Sequence, residues 1–430
     1  MVAVILFAVM FILMLLGIPI VFSICAAGAA AILAGDIQVP LTVIVQRAFA
    51  GMDSFALCCI PFFILTGQFM SCGDLSTRLL RLAEVFVGRI PGGLAHVNVV
   101  FSMLFGGMSG SSSADVAADG PILMPLMHEA GYEDGFTVAV TAATATIGVI
   151  IPPSNMMIIY AMVAGSISIT DMFLGGILPG ILIGLSFLVV CYLTAKIHHY
   201  PKGTVMNRRE KFQAVRAGIL PLATFVIIIF GTLLGIFTPT EAAIVAALYN
   251  FILSKFVYRS MKWSDLPRMF INTGFMTAGV MMLIGVSSIF SWLLAYTKLP
   301  ELLIEVIFSF THAKYPILLM MMLVFLLIGM VMDDAPACII FVPMFLPIAM
   351  QLGVNPIQFG IWCVMCLAIG QYTPPVGAVL FLSCKIGKCS IEKATKALIP
   401  FFTADVLCCL LVLFFEPLTT WIPQISKLFA

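Results

Sequence analysis

Charge is the scarcest property of this 430-residue sequence. Only 10% of its residues are Asp, Glu, Lys or Arg, whereas 62% are hydrophobic. Soluble globular domains carry about 25% charged residues, so this composition excludes a soluble protein and indicates a polytopic membrane protein. The net charge of +1 offers nothing that would attract nucleic acid. We therefore expect the lipid bilayer, and no nucleic acid, as a partner.

The sequence also lacks the motifs of nucleotide- and metal-dependent enzymes. The Gly-rich segment 106–121 contains no lysine, which excludes a phosphate-binding loop. The five histidines form no HExxH motif, and the only CxxC, at Cys363–Cys366, has no second pair. Cysteines inside apolar runs are typical of helix packing rather than of disulfides or metal ligands. We therefore expect no catalytic residues, no enzyme activity and no nucleotide cofactor.

Apolar runs of about 20 residues predict membrane-spanning helices. The clear ones are residues 172–195, 217–237, 242–257, 275–295, 315–331 and 398–415. No basic segment precedes the first apolar run, so we expect it to be retained rather than cleaved as a signal. Residues 1–34 form either one long tilted span or two short ones divided at Gly17–Pro19, and the charges do not decide between these alternatives.

Two of the apolar stretches are interrupted by a pair of prolines, Pro152-Pro153 and Pro374-Pro375. Gly148 and Gly370 precede these pairs at the same distance, and the offset between the two stretches is 222 residues (370 − 148 = 222). Further Gly and Pro residues coincide at this offset: Gly107 with Gly329, Pro121 with Pro343, Pro125 with Pro347, and Gly131 with Gly353. So many matches in one gapless register indicate an internal duplication.

The basic residues indicate that the two copies have opposite orientations. Arg78, Arg81 and Arg89 precede the first Gly-rich segment, whereas the matching stretch 300–311 has no basic residue. Four lysines lie at 385–396 after the second proline pair, and their counterpart has none. Because Lys and Arg collect on the cytoplasmic side, each basic segment faces the cytoplasm and its counterpart faces outward. The basic loop 196–211 is then cytoplasmic and the C-terminus is periplasmic.

A second irregular segment precedes each proline pair. Residues 106–121 lie between apolar arms at 93–105 and 122–127, which are too short to cross about 30 Å of hydrocarbon. We therefore predict a re-entrant hairpin with a Gly/Ser-rich tip near the middle of the membrane. Residues 329–337 occupy the equivalent place in the second copy and contain two aspartates.

The acidic residues in these segments suggest a bound cation. An ionised carboxylate at mid-membrane depth costs at least roughly 2.5–3.5 kcal/mol, so Asp115, Asp333 and Asp334 need a partner. No Lys or Arg occurs in residues 90–195 or 315–384. A mobile cation is the natural partner, and oxygen ligands suit Na⁺. Two alternatives remain open: the aspartates are neutral or cap half-helices, and the prolines only kink their helices.

Taken together, these motifs resemble the large membrane subunit of tripartite ATP-independent periplasmic (TRAP) transporters, and most of all the sialic-acid branch. The motifs are SGSSSAD at 109–115, GMxxDxxxA at 329–337 and the two Pro-Pro breaks, and the resemblance covers essentially the whole chain. It implies an all-α polytopic membrane protein of the bacterial inner membrane, with inverted repeats, two re-entrant hairpins, two broken helices and an elevator-type fold. It also implies two partners, a small four-helix membrane subunit and a periplasmic substrate-binding protein.

The resemblance further implies sodium-coupled import of a carboxylate, with sialic acid favoured and a C4-dicarboxylate next, driven by at least two Na⁺ ions. It divides the chain into scaffold helices and a transport domain. The scaffold comprises residues 1–74 and 169–297; 75–92 and 298–314 are amphipathic arms; 93–168 and 315–390 are the transport-domain halves; and 391–430 is the final transmembrane helix.

The same resemblance assigns site residues by position. The first Na⁺ site comprises Ser109, Gly110, Ser113, Asp115, Gly148 and Asn155. The second Na⁺ site comprises Met332, Asp333, Asp334, Gly370, Thr373 and Gly377. The substrate site comprises Ser111, Ser112, Pro153, Asn155, Thr373 and Pro374.

Two other functions compete with this interpretation. A stand-alone sodium-coupled dicarboxylate or anion carrier of related architecture would need no binding protein. An intramembrane aspartyl enzyme would need aspartates on two facing spans in a GxGD setting, whereas Asp333 and Asp334 are adjacent. A passive channel fits less well, because paired inverted hairpins suit alternating access.

Overall fold

The computed structural model describes residues 2–34, 39–72, 74–165, 167–203, 206–374 and 377–429; for residues 107–109, 306, 310, 428 and 429 it describes the backbone but not the side chains. In these ranges the regular elements are helices, and one isolated bridge pairs Pro91 with Lys202. Eight of the described helices are long and apolar enough to cross a membrane. These findings confirm the predicted all-α polytopic class.

The N-terminal region consists of two short helices rather than one long span. The helix α1 (Val2–Leu15) packs against α2 (Ile20–Ala34), and the chain reverses at Gly17, whose φ of +80° favours glycine. Two further helices follow, α3 (Thr42–Met52) and α4 (Cys59–Cys72). The alternative with two short segments is therefore the correct one.

The two copies predicted from the offset appear as two matching series of helices. The first series is α5 (Leu75–Val87), α6 (Gly93–Ser109), α7 (Ser112–Glu129), α8 (Asp134–Ala145), α9 (Asn155–Ala164) and α10 (Ile169–Ile197). The connecting helices are α11 (Arg208–Leu233), α12 (Pro239–Ile252) and α13 (Leu266–Tyr296). The second series is α14 (Leu299–Phe310), α15 (Lys314–Val331), α16 (Asp334–Gln351), α17 (Pro356–Gln371), α18 (Ala378–Gly387) and α19 (Ile391–Phe414). A separate helix, α20 (Pro417–Phe429), follows the last one.

The offset of 222 holds for single turns as well as for whole helices. The starts of α7 and α16 differ by it (334 − 112 = 222), as do those of α10 and α19 (391 − 169 = 222). After α7 the amide of Tyr132 donates to Met127 O at 3.0 Å, and after α16 Val354 donates to Ala349 O at 3.0 Å. Each turn has a left-handed glycine, Gly131 or Gly353. Glycine accepts this conformation without strain, which explains why both copies keep it.

The long helix α10 shows that the hairpins enter from opposite ends. It has 29 residues and therefore spans about 43 Å. At its last turn Ala195 packs on Gly92, where the first hairpin begins. Near its start, a Cβ on Gly175 would lie 2.9 Å from Ile357, just after the second hairpin ends. The bases of the hairpins therefore lie at opposite ends of α10, as an inverted repeat requires.

Each hairpin enters and leaves at the same end. In the first hairpin Gly92 N donates to Pro201 O at 3.0 Å, and His198 contacts Glu133 at 3.1 Å, so both ends lie beside one loop. In the second hairpin the ammonium group of Lys314 donates to Gly353 O at 3.2 Å. These contacts show two helical hairpins, each with both ends on one side. That the hairpins are re-entrant stays a prediction, because α15 and α16 are each long enough to cross a membrane.

The tip of the first hairpin is shorter than the sequence suggested. We expected an irregular segment from Gly106 to Pro121, but only Gly110 and Ser111 separate α6 from α7. Pro121 and Pro125 lie inside α7. A proline removes one backbone donor, and neighbouring protein makes this loss tolerable in membrane helices. The arms therefore contain 17 and 18 residues instead of the short apolar stretches.

The two broken helices supply half-helices that pack across the copies. The first runs through α8 and a 3₁₀ turn at Thr146–Val149, and α9 resumes after the prolines. The second ends α17 at Gln371 and resumes at α18, while Pro375 lies outside the described residues. The half-helix α9 packs against α16, and α18 packs against α7. This reciprocal packing is what a two-fold relation between the copies produces.

Candidate functional site

The first hairpin closes on the first broken helix through glycine backbones. A Cβ on Gly106 would overlap Gly148 Cα, and one on Gly148 would overlap the carboxylate of Asp115. At the tip itself, a Cβ on Gly110 would lie 3.0 Å from the amide nitrogen of Asn155. Side chains larger than hydrogen cannot fit at the first two positions. We call this arrangement of Gly106, Gly110, Asp115, Gly148 and Asn155 the first tip–break contact.

Polar atoms are concentrated at this contact. Asp115 lies in the first turn of α7 and is 1% exposed, with its Oδ2 atom directed at Gly148. Asn155 Oδ1 and Ser112 Oγ are buried, and neither has a hydrogen-bond partner among the described residues. Free oxygen atoms of this kind are the ligands that Na⁺ uses. The first contact can therefore accept a cation without displacing existing bonds to Asn155 Oδ1.

The first break is stabilised locally by Ser154. Its hydroxyl donates to Val149 O at 2.6 Å and accepts from Met157 N at 3.4 Å. Ser154 thus bridges the gap in the helix and caps the N-terminus of α9. The neighbouring Pro153 is buried within the break.

The second hairpin closes on the second broken helix in the same way. A Cβ on Gly370 would overlap Gly329 and lie 2.8 Å from Met330 N. Beyond the break, Gly377 N donates to Met330 O at 3.1 Å. Met332 ends α15 at the tip in an extended conformation. We call Gly329, Met330, Gly370 and Gly377, with the adjacent aspartates, the second tip–break contact.

The two aspartates of the second contact have different roles. Asp333 Oδ1 accepts a hydrogen bond of 2.8 Å from the side chain of Gln371, which ties the tip to the break. Asp334 Oδ1 accepts from Ala335 N at 2.9 Å, at the first turn of α16. The hydroxyl of Thr373 donates to Ile369 O at 2.6 Å, which leaves its oxygen lone pairs available. The N-cap residue of α16 is Asp333, whose side chain makes no capping bond, and Asp334 accepts from the amide that follows it, so helix capping, one of the open alternatives, is not observed at either residue.

The predicted site residues fall into two groups, one at each contact. Ser111, Ser112, Ser113 and Asn155 lie at the tip of the first hairpin and the start of α9, and Thr373 and Pro374 lie at the second break. The side chain of Ser109 is outside the described residues. Four half-helices (α7, α9, α16 and α18) begin at the tips and breaks, and their N-terminal ends carry partial positive charge. The arrangement can therefore attract an anion as well as a cation.

Sequence reasoning missed three polar residues near these contacts. Gln371 and Asp405 carried no motif, and their partners are distant in sequence. Asp119 lies one turn after Asp115 on α7, is 1% exposed, and has no side-chain partner among the described residues. Its spacing of four residues from Asp115, in a segment free of basic residues, was a signal that could have found it.

The sequence comparisons with known proteins agree on one family. Residues 7–418 match the sequence model described as tripartite ATP-independent periplasmic transporter, DctM component. The chain is 37% identical to the isethionate TRAP transporter permease protein DctMQ of Oleidesulfovibrio alaskensis, over 99% of this chain and 66% of that protein. It is 35% identical to the C4-dicarboxylate TRAP transporter large permease protein DctM of Pseudomonas aeruginosa, over 88% and 87%.

The sialic-acid branch does not stand out among these relatives. The chain is 32% identical to the sialic acid TRAP transporter large permease protein SiaM of Vibrio cholerae, over 96% of each sequence. This identity does not exceed those to the other two relatives. The predicted resemblance to the sialic-acid branch is therefore not specific.

A solved structure shows the fold independently of close sequence similarity. The YdaH transporter of Alcanivorax borkumensis superimposes with a TM-score of 0.64 at 16% identity, over 88% of this chain and 90% of that one. The similarity supports the transporter architecture alone.

Proposed function

This chain belongs to the family of large membrane subunits of TRAP transporters, and from that premise we propose that it imports a carboxylate by sodium-coupled elevator transport. It is a multi-pass inner-membrane transport protein and not an enzyme. Large subunits of this family work with a small membrane subunit and a periplasmic binding protein. We propose that here the small subunit has four helices and that the binding protein delivers the substrate.

One observation carries the proposal: the same closure occurs twice, at the ends of hairpins that enter from opposite sides. Each tip–break contact joins glycine backbones beside a carboxylate, in a segment without Lys or Arg. Broken helices leave backbone carbonyls that can coordinate a cation. We assign one Na⁺ to the first contact, near Asp115 and Asn155, and a second to the other, near Asp333 and Thr373.

The substrate is proposed to be an organic acid held without a basic side chain. The N-terminal ends of the four half-helices, hydroxyls such as Ser112 and Thr373, and the adjacent Na⁺ ions would balance its carboxylate. Binding of anion and cation should then be coupled, each raising the affinity for the other. Sialic acid is the first substrate to test, and a C4-dicarboxylate is the second.

Packing suggests which helices would move together. The helices α10 and α19 pack on each other and on the broken helices. The ring of Phe401 on α19 lies 5.3 Å from that of Phe187 on α10 and 6.0 Å from that of Phe136 on α8, measured between ring centroids. The helices α11, α12 and α13 form a group with α3, α4 and α5. We therefore propose that α10 and α19 belong to the moving unit, although the sequence-based division placed residues 169–297 in the scaffold.

The driving force follows from charge. Each elementary charge crossing about 100 mV releases about 2.3 kcal/mol. Two Na⁺ ions carried with one monoanion move one net positive charge inward, so the membrane potential and the Na⁺ gradient both favour uptake. No nucleotide is needed for this scheme.

Uptake by proteoliposomes tests the proposal. The large subunit is reconstituted with its small subunit and binding protein, and a panel of organic acids is offered with a Na⁺ or a K⁺ gradient. We expect uptake of a carboxylate with Na⁺ only. Replacement of Na⁺ by K⁺ without loss of uptake would contradict sodium coupling.

Two isosteric variants test the assigned sites. Asp115→Asn and Asp333→Asn should each raise the Na⁺ concentration for half-maximal uptake about tenfold, because a charged ligand is lost. Glu129→Gln, an exposed position on α7, is the matched control and should not change it. Unchanged Na⁺ dependence in both Asp variants would remove these assignments.

A further inference from the structure

A buried carboxyl on α19 lies outside both proposed sodium sites. Asp405 is 1% exposed, and its Oδ2 atom accepts a hydrogen bond from the hydroxyl of Tyr372. Tyr372 is the first residue after α17, where the second break begins, and it is fully buried. The two residues are 33 positions apart, so this bond connects the break to a different helix.

Tyr372 belongs to the turn that carries the second tip–break contact. Its amide donates to Ile369 O at 3.3 Å, and the next amide, of Thr373, donates to Gly370 O at 3.0 Å. A Cβ on Gly377 would lie 2.9 Å from Thr373 O. Fixing the ring of Tyr372 therefore fixes the orientation of the carbonyls and the hydroxyl on both sides of it.

The first copy has no equivalent of this support. The offset of 222 places Ile150 and Ile183 where the second copy has Tyr372 and Asp405. The first break is instead closed within its own segment by Ser154, which donates to Val149 O at 2.6 Å. The second break is thus supported by a residue of another helix, Asp405, whereas the first break is supported by a residue of its own segment, Ser154.

The carboxyl of Asp405 has few other functions available to it. Its Oδ1 atom is buried and has no hydrogen-bond partner among the described residues. The basic residues of the same helix, Lys393 and Lys396, lie in its first two turns and line a cleft there with Glu133 and His198. A buried carboxyl with one partner destabilises the fold relative to an apolar residue. Such a cost is typical of residues kept for function.

We propose that Asp405 is a positioning residue of the second sodium site. Through Tyr372 it sets the turn that presents Gly370 and Thr373 to the ion, and it does not contact the ion itself. This inference rests on the proposed sodium coupling.

The test separates ion affinity from maximal rate. Tyr372→Phe, which removes only the hydroxyl, and Asp405→Ala should each raise the Na⁺ concentration for half-maximal uptake about tenfold. The maximal rate should stay within about twofold, because the transport cycle still operates once the ion is bound. The double variant should raise the Na⁺ concentration for half-maximal uptake no further than the more strongly affected single variant does, because both changes remove the same interaction.

A conservative replacement and a control complete the design. Asp405→Asn keeps an oxygen that accepts from Tyr372 and should restore half-saturation close to that of the unmodified protein. Thr403→Val alters an exposed hydroxyl that bonds within α19 and should change nothing. Tyr372→Phe with unchanged half-saturation, or with a loss of maximal rate alone, overturns the inference. Absence of Na⁺ dependence in the unmodified protein overturns the proposed function instead.

Discussion

The two copies of the repeat fasten their hairpin arms by different chemistry. In the first copy Asn98 on α6 donates to Thr141 at 2.8 Å and accepts from Thr144 at 2.8 Å, and both threonines lie on α8. These three residues are buried. The matching positions of the second copy are Met320, Cys363 and Cys366.

In the second copy aromatic rings replace these hydrogen bonds. The ring centroid of Phe325 on α15 lies 6.0 Å from the ring centroids of both Phe359 and Trp362 on α17, in edge-to-face arrangements. Hydrogen bonds fix one register, whereas ring packing depends mainly on buried area. A glycine-backbone closure occurs in both copies: Gly148 and Gly370 match at the offset of 222, whereas Gly106 and Gly329 differ by one residue from that register. The glycine of the break was therefore preserved, while the fastening of the arms diverged.

The largest loss of uptake is expected from substitutions at the glycine closures. Gly148→Ala places a methyl group against the Asp115 carboxylate and Gly106 Cα, and Gly370→Ala places one inside the Gly329 backbone, so the hairpin must move by about 1 Å or more. A displacement of that size costs about 100-fold in activity when it affects a reacting or binding geometry. We expect uptake in proteoliposomes to fall by about this factor in both variants.

A glycine in open space provides the control. Gly274 lies in α13, and a Cβ there would meet nothing within 4 Å. Gly274→Ala should therefore retain uptake and fold at least as well as the unmodified protein, because alanine favours helix. Equal uptake by Gly148→Ala and Gly274→Ala would show that the closure does not matter.

The aromatic fastening should dominate the stability of the second copy. Phe325 is fully buried, and replacing such a residue by alanine costs about 3–5 kcal/mol. Phe325→Ala should lower the free energy of unfolding in detergent micelles by this amount. Leu327→Ala, on the exposed side of the same helix, should lower it much less. Similar losses in the two variants would mean that the rings do not fasten α15.

The polar fastening of the first copy should contribute less. Hydrogen bonds between membrane helices average about 0.6 kcal/mol each, so Asn98→Ala should cost about 1 kcal/mol. The same unfolding measurement with Met320→Ala, the matching position, gives the comparison, and we expect a smaller change there because Met320 is partly exposed. A larger loss in the free energy of unfolding for Met320→Ala than for Asn98→Ala would contradict the view that polar bonds at this position fasten the first copy and not the second.

The backbone plan of the protein was predictable from its sequence. Glycine and proline restrict backbone geometry directly, so Gly148, Gly370 and the proline pairs marked the breaks and the offset between the copies. The distribution of basic residues predicted that the two copies have opposite orientations, which the contacts of α10 confirm. The family resemblance also placed Asp115 and Asn155 in one predicted site, and both residues belong to the first tip–break contact.

Pairings between distant side chains were not predictable. The bonds of Asn98 with Thr144 and of Tyr372 with Asp405 depend on how neighbouring helices are rotated about their axes. A nearly uniform apolar sequence contains little information on rotation, because polar and apolar faces do not alternate clearly. The extent of α7 was misjudged for a related reason, since Pro121 in a packed membrane helix does not end it.

A closure made from glycine backbones has a consequence for evolution. At Gly106, Gly148, Gly329 and Gly370 the tips meet the breaks backbone to backbone, and the second tip is also tied by the bond from Gln371 to Asp333. Mutations that change the surrounding side chains to bind a different substrate can therefore leave this backbone closure intact. A protein built on this plan can be adapted to another acid by changes in neighbouring side chains, without any change at these four glycines.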